Sequence, residues 1–90
     1  MKWIEIIRLR SSAIAPKTLK EFMSALANNR HPGLTGVRIC RHAAWETDWS
    51  LHLQWESEKL EKNGSALGLR LGQALEEFGL VDHSVWIQEV

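Results

Sequence analysis

The sequence predicts an α+β domain, a ferredoxin-like plait with strands and helices in the order β-α-β-β-α-β. Three observations predict it. Runs of strand length that are Ile-rich or strictly alternating lie at residues 3–10, 34–44, 49–56 and 81–90. Two stretches with apolar residues at helical spacing separate the first run from the second and the third from the fourth. The polar break Glu46-Thr47-Asp48 joins the middle two runs as a hairpin.

Each element has its own warrant. Trp3 to Arg10 is apolar on both sides, with Ile4 and Ile6 on one and Trp3, Ile7 and Leu9 on the other. A strand of that kind is central and covered on both faces. Pro16 stands where a first helical residue should, with its φ fixed and no N–H to satisfy. Leu19, Phe22, Met23 and Leu26 then form one helical stripe. Asn28-Asn29-Arg30-His31-Pro32-Gly33 ends that helix, because proline cannot continue it and Gly33 can take positive φ.

In the third strand Trp49, Leu51, Leu53 and Trp55 alternate with Ser50, His52, Gln54 and Glu56. A regular hairpin centred on Thr47 places Trp45 opposite Trp49, His42 opposite His52, Cys40 opposite Gln54 and Arg38 opposite Glu56. Aromatic then meets aromatic and opposite charges meet, while Val37 and Ile39 join the apolar face. Ser57 to Lys62 reads as a short helical turn closed by Asn63-Gly64. Ser65 caps a second helix that runs to about Phe78, with Leu67, Leu71, Leu75 and Phe78 as its stripe and Gly79 as its stop. Gly68 and Gly72 inside it each cost about 1 kcal/mol relative to Ala, which signals close packing there.

Composition bounds the function. The 90 residues form one domain, 1–90, with Lys plus Arg and Asp plus Glu both at 11. Zero net charge gives no general attraction to nucleic acid or anionic membrane. Cys40 is the single cysteine, so no disulfide forms within the chain, as suits a reducing cytoplasm. The first residues lack a signal-peptide core and no apolar run spans a bilayer, so a soluble cytoplasmic protein is expected. No phosphate loop, dinucleotide fingerprint, serine elbow or catalytic carboxylate pair is present, and the aromatic RNA-binding signature is missing.

Two helices cover only one face of a four-stranded sheet. Trp3, Ile7, Leu9 and Trp86 left in water on the other face would form the kind of patch that marks an interface. A homodimer packed face to face buries it. The cavity between the sheets would be lined by Glu5, Ile7, Arg38, Cys40, His42, His52, Gln54 and Trp86. The five tryptophans, with no tyrosine, are most simply core and dimer packing; the sharper reading is a flat aromatic or hydrophobic ligand against the sheet.

The layout, with Gln54-Trp55-Glu56-Ser57-Glu58 ending the third strand and His31-Pro32-Gly33-Leu34 before the second, resembles the antibiotic biosynthesis monooxygenase-type family. The resemblance implies a dimeric α/β barrel with a ligand cavity between helices and sheet or within the barrel. It also implies activities such as cofactor-free oxidation of polycyclic phenols or quinols, and haem degradation. The family's helical histidines are replaced here by Leu67, Gly68, Leu69 and Leu71, and the asparagine of the haem-degrading branch by Ile7. Haem degradation is disfavoured on that ground.

Cofactor-free oxidation needs a base and a dry pocket. His52 is the expected base, with His42 as its partner in proton sharing or substrate orientation. Gln54 or Arg38 would contact the substrate oxygen, Trp86 would be a stacking wall, and Glu5 would either orient the histidine or simply sit at the strand end. The bland reading of the pair is two strand histidines without chemistry. No metal is expected, since Cys40 alone could join them and structural zinc wants four ligands. No organic cofactor is implied. The alternative to an enzyme is a non-catalytic dimeric ligand-binding or structural domain of the same fold.

Overall fold

The computed structural model describes the backbone of residues 1–11, 16–27 and 31–90. The elements are β1 (Lys2–Ser11), α1 (Pro16–Ala27), β2 (Leu34–Arg41), β3 (Asp48–Glu56), α2 (Ala66–Leu75) and β4 (Gly79–Ile87), with a 3-10 turn at Glu76–Phe78. Neighbouring strands are antiparallel and lie in the order β2-β3-β1-β4. This is the expected plait, with β1 and β3 central. No described helix is long and apolar enough to cross a membrane.

The core lies between this sheet and the two helices. Trp3, Ile7 and Leu9 of β1 and Trp49, Leu51, Leu53 and Trp55 of β3 pack against Leu19 and Met23 of α1 and Leu67, Leu71 and Leu75 of α2. The side chain of Leu26, given to the helical stripe, and residues 28–30, given to its end, lie outside the described residues. Gly33 has φ of 86° and its carbonyl accepts the Glu56 N–H, so the expected positive φ sets the entry to β2. Ser65 accepts the Gly68 N–H at 2.9 Å, the predicted cap. Residues 57–65 contain no helical turn, contrary to expectation; Ser57 N–H instead binds the Met1 carbonyl.

Two further expectations are corrected. Trp3, Ile7 and Leu9, expected beside Trp86 on the open face, lie under the helices. The open side of β1 carries Ile4, Ile6, Arg8 and Arg10. Two arginines at its end must stay wet, whereas the other side offers the large apolar groups Trp3, Ile7 and Leu9.

The hairpin register also differs. Arg38 pairs with His52, Cys40 with Ser50 and Gly36 with Gln54, so His42 is not opposite His52 and Arg38 is not opposite Glu56. The connection spans residues 42–47 and makes its own bonds: His42 Nδ1 accepts the N–H groups of Ala44 and Trp45, and Thr47 O accepts from Ser11. Because the displacement is an even number of residues, each side chain keeps its face. Val37 and Ile39 therefore still meet Leu53 and Leu51.

Candidate active site

Cross-strand registers turn the open face into rows. Trp86, Ile4, Gln54 and Gly36 form one; Ser84, Ile6, His52 and Arg38 the next; Asp82, Arg8, Ser50 and Cys40 a third. Gln54 lies over Gly36, where a Cβ would meet its Oε1 at 2.6 Å. Trp86 is exposed and donates from Nε1 to Ser84 Oγ at 2.8 Å. His52 Nε2 lies 3.0 Å from Ser50 Oγ. Four of the expected site residues, His52, Arg38, Gln54 and Trp86, thus share one face. His42 sits beyond the end of β2, stacked on Trp45 at 4.8 Å and too far along to meet His52. A hollow of about 430 Å³ lies at that end, but its Arg8 and Arg10 are already paired with Asp82 and Asp48.

Among the described residues the environment of His52 stands out. Burial, then the Arg38 guanidinium, lowers its pKa below the ordinary 6.5. The imidazole is therefore held neutral, the form a general base needs. The sign for stability follows: below about pH 6.5 the unfolded chain takes up a proton that the folded one resists, so stability falls as pH drops towards the lowered value. We expect His52→Gln to flatten part of this acid-side loss in urea titrations between about pH 5 and 8. An unchanged pH profile would show that His52 is not desolvated.

Glu5 and Ile7 are not on this face. Both are fully buried beneath the helices, on the core side of β1. Ile7 is core. Glu5 does orient a histidine, but it is His83 of β4: Nε2 lies 2.7 Å from Glu5 Oε2, which also accepts the Ser65 N–H at 3.1 Å. Gly64 and Gly68 make the room, since a Cβ at Gly64 would strike the His83 ring and one at Gly68 the Glu5 carboxylate. Glu5 Oε1 is buried with no partner among the described residues.

Beside this pair a hollow of about 300 Å³ opens between sheet and α2. Trp3 and Trp55 form its wall, stacked at 5.4 Å, and Ser65, Leu67, Arg70 and His31 also line it. Trp55 Nε1 and His31 Nε2 are buried without hydrogen-bond partners among the described residues. Ser65 is shared, lining the hollow and binding Glu5. Among the described residues no three metal-ligating side chains gather.

The fold is the one seen in solved antibiotic biosynthesis monooxygenase-type proteins. SnoaB, a cofactor-independent oxygenase from Streptomyces nogalater, matches with a TM-score of 0.71 at 14% identity, over 99% of this chain and 94% of its own. Rv0793 from Mycobacterium tuberculosis matches at 0.73 and 17% identity, over 100% and 97%. An antibiotic biosynthesis monooxygenase-type protein from Bordetella bronchiseptica matches at 0.66 and 17%, over 99% and 97%. At such identities the likeness is one of fold. No sequence-family profile and no curated protein matches the chain.

Proposed function

We propose that this protein is a small monooxygenase-like enzyme that oxidises an aromatic hydroxy or quinol compound with dioxygen and without a cofactor. The observation that carries this reading is the hollow walled by Trp3 and Trp55, with two buried ring nitrogens that have no partner among the described residues. A purely structural core satisfies nearly all such groups. A flat phenolic ligand supplies what is missing, its ring against the indoles and its oxygens bound to Trp55 Nε1–H and His31 Nε2. SnoaB, of the same fold, is a cofactor-independent oxygenase. The substrate is its own reductant: a quinol and one dioxygen give a hydroxyquinone and one water.

A second reading is favoured by one observation, the neutral His52 beside Arg38. In it a second copy, packed face to face as a homodimer, roofs the open face, and His52 is the base with Trp86 as wall. Oxygen uptake with a naphthohydroquinone separates the two. Trp55→Phe, which keeps an aromatic ring but removes the indole N–H, and His31→Ala are expected to lower kcat/KM about tenfold each, about the worth of one hydrogen bond. His52→Ala should leave it unchanged. The reverse pattern moves the reaction to the open face. No uptake by any form, with naphthol still bound, would leave a ligand-binding domain.

A further inference from the structure

The hollow walled by Trp3 and Trp55 has an electrostatic character that its indoles do not explain. Lys59 and Arg70 both line it, against one carboxylate, that of Glu61. Among the described residues neither cation lies within ion-pair distance of an acidic group. The first turn of α2 borders the same space through Ala66 and Leu67. Its end is capped by the Ser65 hydroxyl, but the turn carries no acidic residue, the usual complement of a positive helix end. Long side chains on a helix lean towards its N-terminus. That of Arg70 therefore reaches back over Ala66 and Leu67, four and three residues earlier, where the helix dipole disfavours a cation. Positive charge thus exceeds negative around a hollow that also holds the unpartnered N–H of Trp55, a residue only 7% exposed.

We propose that the hollow takes an aromatic hydroxy acid, and that Arg70 is the residue that selects it by binding its carboxylate. The proposal rests on the reading of this hollow as the substrate site and gives that substrate a second polar end. The ring lies against the indoles, the hydroxyl meets Trp55 Nε1–H and His31 Nε2, and the carboxylate meets Arg70. A guanidinium offers two parallel N–H donors that match the two oxygens of a carboxylate. Lys59 offers a point charge, which attracts an anion without fixing its orientation. With two cations and one carboxylate on the lining, a single carboxylate on the ligand brings the charge to balance, and a dianion overshoots it. No proton or electron is exchanged at this end. A neutral phenol of the same outline keeps every contact but this one.

Calorimetric titration of the purified protein compares 6-hydroxy-2-naphthoate with 2-naphthol, which share ring and hydroxyl and differ by the carboxylate. The acid is expected to bind about tenfold more tightly, the low end for hydrogen bonds to a charged group because Arg70 is exposed. In Arg70→Gln the two affinities should become equal, and in Arg70→Glu their order should reverse. Binding of 2-naphthol by either variant shows that it is folded. Trp55→Phe should weaken both ligands alike, which places both in the hollow. Equal affinities in the wild type, or a preference that survives Arg70→Gln, overturn the carboxylate contact and leave the hollow a site for neutral phenols. A preference abolished by Arg70→Gln, with neither ligand weakened by Trp55→Phe, also overturns the proposal, because the acid then sits outside the hollow. Oxygen uptake with a naphthohydroquinone judges the oxygenase separately. No uptake with the acid preference intact overturns the enzyme and keeps the hydroxy-acid site. Uptake without the preference keeps the enzyme and overturns the role of Arg70.

Discussion

Gly68→Ala should destabilise the protein by about 3 kcal/mol or more, although glycine to alanine inside a helix ordinarily adds about 1 kcal/mol. The sign reverses because the new methyl would occupy the space of the Glu5 carboxylate, which is backed by the sheet and cannot swing into water. Displacing it also stretches the contacts to Ser65 and His83, leaving a buried charge less well compensated. Urea denaturation reads the loss. A second substitution makes the cause specific: in a Glu5→Ala background the same Gly68→Ala change should become neutral or stabilising. If Gly68→Ala stabilises the otherwise unaltered chain, the carboxylate is not where the structure puts it.

Trp3→Ala should cost about 4 kcal/mol, the upper range for truncating a buried aromatic. Trp3 is almost wholly buried, stacks on Trp55 at 5.4 Å, and donates from Nε1 to Ser57 Oγ at 3.0 Å. Trp3→Phe keeps most of the stack and loses the hydrogen bond, so it should cost about 1–2 kcal/mol. Equal costs for the two variants would mean that the hydrogen bond, not the ring, dominates at this position.

The architecture was readable because its signals are local. Alternation in β3, the Leu19–Met23 stripe, the Ser65 cap and the Gly33 turn each lie within a few residues and survive into the structure. The hairpin register was not readable, because it depends on a six-residue connection whose bonds involve the His42 ring and the distant Ser11. The facing of β1 was ambiguous in apolar content alone; Arg8 and Arg10 on one side were the clue that decides it.

The candidate site divides in the same way. His52, Arg38, Gln54 and Trp86 were placed on one face by parity alone, and parity holds. The Glu5–His83 pair joins residues 78 apart in the chain, and no periodicity announces a contact of that span. Two faint signals existed. Glu5 and His83 each interrupt a core-facing row of apolar residues, Trp3–Ile7 and Val81–Val85, so two polar groups were available to satisfy each other. Gly68, costly in a helix, marked the place on α2 where something had to approach closely, and that something is the carboxylate. The roles of His31 and Trp55 depend on where a hollow opens, which follows from packing and not from spacing.

The placement of His83 also bears on the order in which the molecule assembles. β1, β3 and α2 precede β4 in the chain and supply the neighbours of Glu5 other than those on β4. Until the last strand docks, the carboxylate must keep its water, because the imidazole that meets Oε2 has not arrived. Closing α2 onto the sheet and adding β4 therefore become one event, not two successive ones. Such coupling disfavours a populated intermediate that lacks the final strand. It also makes the slow step of folding a contact between the two ends of the sequence.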